Sequence, residues 1–169
     1  MRSRLAIALL AALPCAAGAQ TPLNLEQTSA WIVKNLVDSA GLVTSGYAHE
    51  YKDAKIDGCV LTFTDRQYAG PGTSDLQIKA PLAAVTKVAK HSELQGREQQ
   101  YSLILTTSGQ SIEQTGAGLS RGNAPPAHGD FLKIFFQRPD VDNAAAAGRM
   151  ADAINHMVEL CRSSAPADK

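Results

Sequence analysis

The stretch Val141-Asp142-Asn143-Ala144-Ala145-Ala146-Ala147-Gly148-Arg149-Met150-Ala151-Asp152-Ala153-Ile154-Asn155-His156-Met157-Val158-Glu159-Leu160-Cys161-Arg162 decides the fold. Ala147, Ala151, Ile154, Val158 and Cys161 recur at alternating spacings of four and three, and Met150, Met157 and Leu160 widen the stripe. That period places the apolar residues on one broad face of a helix. Arg149, Asp152, His156 and Glu159 fall on the opposite face. Asp142 or Asn143 can cap the N-terminus with a side-chain oxygen, and Ala144 to Ala147 are strong helix formers. A long amphipathic helix in a chain that otherwise reads as strands has to bury its face on a sheet or in the mouth of a barrel.

Working outward, one other helix is expected. Asn24 and Gln27 make a capping-box pattern, and Leu25, Thr28, Ile32 and Leu36 share a face with Trp31 beside it. The helix should run from Leu25 to Ser39, with Trp31 as an anchor and Gly41 and Gly46 breaking it.

From Tyr47 onward the pattern is of strands. Tyr47 to Ile56 is mixed, Asp57-Gly58 signals a two-residue type I′ hairpin, and Cys59, Leu61 and Phe63 alternate with Val60, Thr62 and Thr64. Gly70-Pro71-Gly72 ends that strand and Leu76 and Ile78 mark the next. Pro81 to Val85 reads as one short turn of helix before Val88 to Glu93 re-extends. Tyr101, Leu103 and Leu105 alternate, Ser108-Gly109 resembles a hairpin tip, and Ile112 to Thr115 is the expected return strand. Phe131 to Gln137 is apolar on both faces, so it belongs in the centre of the sheet or under the helix. The fold class is therefore α+β, an antiparallel bent sheet or partly open barrel of about six to seven strands with both helices packed on it. Between Gly116 and Asp130 the chain is rich in glycine, proline and alanine, a long loop for such a domain.

The first nineteen residues read as a signal peptide. Arg2 and Arg4 form the basic start, Leu5 to Leu13 the apolar run, and Ala17-Gly18-Ala19 the cleavage site. The expected protein is then periplasmic or secreted, with residues 20–169 as one domain and no membrane span. In the rival reading Cys15 is a lipidated N-terminus, which Pro14 beside the cleaved bond fits poorly. The whole chain is balanced, with 16 basic and 16 acidic residues. Cleavage would remove two arginines and no acid, leaving 14 against 16. A near-neutral chain gives no electrostatic reason to expect nucleic acid as a partner. Export also leaves two cysteines, Cys59 and Cys161, in an oxidising compartment, where an even pair is most simply one disulfide.

No catalytic, metal or cofactor site assembles from the motifs. Gly118-Leu119-Ser120-Arg121-Gly122 matches the G-x-S-x-G elbow, but Asn123-Ala124-Pro125-Pro126 follows where a helix must begin. His49, His91, His128 and His156 show no metal-ligand spacing, and His156 is explained by an i,i+4 pair with Asp152. Lys52, Lys55, Lys79, Lys87 and Lys90 are interleaved with Asp53, Asp57, Asp75 and Glu93, which describes a solvated mixed surface.

The strand meander closing on Asp140 to Cys161 resembles the pleckstrin-homology-like superfold, in which a C-terminal helix plugs a bent sheet. With its Ala30-Trp31-Ile32 helix the chain is also similar to small bacterial exported proteins. The resemblance implies peptide binding or scaffolding. It does not imply inositide binding, because Asp53 and Asp57 interrupt the hairpin lysines Lys52 and Lys55. The functional expectation is a non-enzymatic binding module for a protein or peptide partner. The alternatives are a carrier of a small apolar ligand and a hydrolase or metal-site protein.

Overall fold

A computed structural model of the chain describes residues 23–116 and 126–164. The expected signal peptide, Cys15, the Ser120 motif and the last residues lie outside them. The elements follow as α1 (Leu25–Ser39), β1 (Gly41–Val43), β2 (Tyr47–Asp57), β3 (Val60–Ala69) and β4 (Gly72–Pro81). A 3-10 turn (Leu82–Ala84) leads to β5 (Val85–Gln95), β6 (Glu98–Thr107), β7 (Ile112–Gly116), β8 (Ala127–Gly129), β9 (Phe131–Gln137) and α2 (Asn143–Ser164). The architecture is α+β, a curled mixed sheet with both helices packed on it. The strands lie in the order β5-β6-β9-β1-β2-β3-β4-β7-β8.

Both helices form where the periodicity places them. Asn24 and Gln27 close a reciprocal capping box on α1, which buries Thr28, Ile32 and Leu36. Asp142 caps α2, where Ala145 N–H donates to its Oδ1 at 3.0 Å. Asn143 instead ties the preceding chain down, accepting from the N–H of Arg138 and donating to its carbonyl, both at 2.9 Å. Ala147, Met150, Ala151, Ile154, Met157, Val158 and Cys161 are buried, and Ala146 joins them. They meet the face of β6 and β9 that carries Leu103, Leu105, Ile134 and Phe136, all fully buried. His156 differs from expectation, because its Nε2–H donates to the carbonyl of Leu23 at 2.7 Å rather than to Asp152.

The sheet departs from the expected meander in three ways. The described residues form nine strands, because Gly41–Val43 pairs with β2 and β9 and Ala127–Gly129 pairs with β7, although three residues are too few to show an alternation. β1 runs antiparallel to β2 and parallel to β9, so the sheet is mixed rather than wholly antiparallel. Ser108-Gly109 is no hairpin tip. After β6 the chain crosses to the far end of the sheet, and β7 pairs with β4, Lys79 opposite Glu113 and Leu76 opposite Gly116. Gly116 allows that contact, since a Cβ there would sit 2.6 Å from the carbonyl oxygen of Asp75.

The hairpin between β2 and β3 closes one residue later than expected. Asp57 pairs with Val60, so Gly58-Cys59 is the turn, with positive φ at Gly58 alone as in a type II′ turn. Cys59 thus stands at the hairpin tip rather than in a strand, and it is bonded to Cys161 on the last turns of α2. Asp53, at φ 51°, makes a bulge in β2. Tyr51 is buried before the bulge, whereas Ala54 and Ile56 are the residues packed on the core after it. That phase change is why the strand reads as mixed.

Candidate functional site

β2 places His49 and Tyr51 on one face, and the ladder sets them opposite Gln67 and Asp65 of β3. The period of two along β3 puts Asp65 in line with the buried Leu61 and Phe63, so a carboxylate continues an apolar row. His49 and Asp65 are each only 8% exposed. His49 Nδ1–H donates to both carboxylate oxygens, at 2.7 and 2.9 Å, and Gln67 Nε2 donates to Oδ2 at 2.9 Å. The imidazole lies against the Phe135 ring at 4.9 Å between centroids, and Tyr47 meets it edge-on at 4.8 Å. Burial of a carboxylate is costly unless it is paired and hydrogen-bonded, and this cage supplies both conditions.

The carboxylate fixes the ring's tautomer. With Nδ1 protonated toward Asp65, the neutral imidazole keeps its lone pair on Nε2. This is the orienting half of an acid–base relay. Among the described residues, His49 has no hydrogen-bonded hydroxyl or thiol.

Two tyrosines frame the pair. Burial and then the negative Asp65 push the Tyr51 phenol far above its ordinary range, and the same two causes raise Tyr47. Both remain neutral phenols at physiological pH. The Tyr51 hydroxyl accepts a hydrogen bond from the main-chain N–H of Phe135 at 3.0 Å. Replacing Tyr51 with phenylalanine should therefore lower stability by about 1–3 kcal/mol, because a part-buried N–H loses its acceptor. Chemical denaturation checks this, and an unchanged midpoint would mean that the bond contributes nothing.

That same bond reveals an open flank. β9 is paired with β6 from Phe131 to Phe136, but on its other side β1 reaches only Phe136 and Gln137. Main-chain groups alternate in direction along an antiparallel strand, so Phe131 and Lys133 point theirs the same way as Phe135, away from β6. Among the described residues no strand pairs with them there. Beside this flank lies a cavity of about 460 Å³ inside the curl of the sheet. Asp65, Gln67 and Gln114 line it with polar groups, and Leu76, Ile78 and Leu132 give it an apolar floor. Phe131 stands at its rim, 57% exposed.

No protein-family model matches the chain, and no curated protein or solved structure matches it.

Of the residues singled out in the sequence, Cys59 and Cys161 come together as a disulfide. The lysines do not gather. Lys52 pairs with Glu50 at 3.0 Å and Lys79 lies 3.9 Å from Glu113, which is the mixed surface expected. His91 stands 3.7 Å from Glu93 on the surface, and His128 sits in β8 beside the cavity. Among the described residues no three His, Cys, Asp or Glu side chains converge as metal ligands, and no helix is long and apolar enough to cross a membrane. The sequence reading missed the His49–Asp65 pair. Its one signal was Asp65 in phase with Leu61 and Phe63, a charge on a face that should be apolar.

The outer face of the same strands carries an ion pair with its own pH dependence. Arg66 donates twice to Asp75, at 2.7 Å each, and this holds the Asp75 carboxyl below its ordinary range. A depressed folded-state value stabilises at pH above the ordinary carboxylate range, and the gain is lost as pH falls through the lowered value. Acid unfolding should accordingly be shallower in Arg66→Gln, by a small, salt-sensitive amount because the pair is solvent-exposed. A denaturation series from neutral pH to pH 3 tests this, with identical slopes as the contrary result.

Proposed function

We propose that this protein is a non-enzymatic binding module, exported to the periplasm or beyond, that takes an extended peptide along the open flank of β9. The observation that carries this reading is the row of main-chain groups at Phe131 and Lys133, which among the described residues have no strand partner, beside a cavity already floored by side chains. A peptide added there gains main-chain hydrogen bonds, and its alternate side chains enter the cavity. The curled sheet and its C-terminal helix also support the pleckstrin-homology-like likeness, whose members include peptide binders and scaffolds.

Amide-shift mapping by NMR with peptides from the cell envelope tests the proposal. The Phe131 and Lys133 amides should shift and become protected from exchange, and silence there with every peptide would overturn it. The apolar floor of Leu76, Ile78 and Leu132 favours one other reading, a carrier of a small apolar ligand. Solvent extraction and mass spectrometry of the purified protein would recover that ligand, and a clean extract argues against it.

A further inference from the structure

We infer that the occupant is basic, an extended peptide whose lysine or arginine side chain enters the cavity and ends on the Asp65 carboxylate. This rests on the strand-addition reading above and goes further by naming the chemistry of the side chain selected.

Among the described residues the charges around the cavity are unequal. Asp65 stands in its wall and Asp130 at its mouth, against Lys133 and His128 as the groups able to carry positive charge. Lys133 is already engaged, with its ammonium 3.0 Å from Glu93 and 4.9 Å from the centre of the Phe135 ring. Asp65 is buried, and its donors are His49 and Gln67. A carboxylate offers roughly four lone-pair sites, so acceptor capacity is left on the side that borders the cavity. His49 and Gln67 occupy part of that capacity, and Asp65 still borders the cavity. An arriving ammonium or guanidinium meets the carboxylate in a partly desolvated site, where a charged hydrogen bond counts for more than in water. The side-chain carbonyls of Gln67 and Gln114 are further acceptors on the same wall. An acidic side chain would instead meet Asp65 and Asp130, and like charges at close range are disfavoured. In this arrangement His49 is a positioning residue that holds the carboxylate in place.

The test uses the purified full chain and three labelled hexapeptides of alternating valine and threonine, with lysine, norleucine or glutamate as the residue aimed inward. Fluorescence anisotropy should show the lysine peptide binding about tenfold or more tighter than the norleucine peptide, with glutamate weakest. Raising the salt concentration should shrink the difference. Asp65→Asn should bring lysine and norleucine level. Where that variant does not fold, the salt dependence on the unaltered protein decides alone. Equal binding of all three peptides, with the Phe131 and Lys133 amides still shifting, would overturn the basic preference and leave strand addition standing. Absence of those shifts with any peptide would remove both.

Discussion

Removal of the Cys59–Cys161 bridge, by reduction or by the double change to alanine, should lower stability by about 3–5 kcal/mol. The bridge joins residues 102 positions apart, and in the chain-entropy account a closed loop of that length restricts the unfolded chain by up to about 4.7 kcal/mol. Its two ends also sit where order is needed. Cys59 occupies the tip of the β2–β3 hairpin, and its carbonyl accepts from the N–H of Leu82 at 2.8 Å, beside the 3-10 turn that packs on α2. Cys161 is buried in the last turns of α2, and the neighbouring Arg162 donates to the carbonyl of Val85. Loss of the bridge should therefore loosen the end of α2 and the start of β5 first. Urea denaturation with and without reductant measures the total, and hydrogen exchange locates it. A midpoint shift worth less than about 1 kcal/mol would mean that native contacts alone hold the helix end.

The second large effect belongs to the buried pair. His49→Ala or Asp65→Ala should each cost about 3–5 kcal/mol, because each leaves a buried polar partner without its counterpart. The informative variant is the double change His49→Phe with Asp65→Leu. It removes both polar groups and keeps the volume, so it should cost clearly less than the sum of the single changes. Strictly additive losses would show that the two side chains do not interact. The same double variant should also lose the preference for a basic peptide, which makes stability and recognition separable in one set of proteins.

Local signals were the most legible part of the chain. The Asn24 and Gln27 box, the apolar stripe from Ala147 to Cys161, the short turn at Leu82 and the pairing of the two cysteines all follow from neighbours in sequence or from simple counting. The strand expected at Phe131 to Gln137, in the centre of the sheet or under the helix, lies between β6 and β1, with Leu132, Ile134 and Phe136 buried in the core and Phe131 exposed on the other face. The site was barely legible. Gln67, Gln114 and Lys133 carry no motif, and an aspartate that ends an apolar row looks the same on paper whether it is caged or exposed.

What the sequence by itself determined is therefore the class of fold, the two helices, and the covalent tie between hairpin and helix. Strand partners were decided only by the tertiary structure. β7 returns to β4 rather than β6, β1 wedges in beside the end of β9, and three-residue β8 exists only because β7 offers it an edge. A helix satisfies its own main chain within a few residues, so its code is local. A strand satisfies its main chain on whatever edge arrives, and any strand of matching face and length can supply one. The open flank at Phe131 and Lys133 is a product of that non-local choice, because β1 stops short of it.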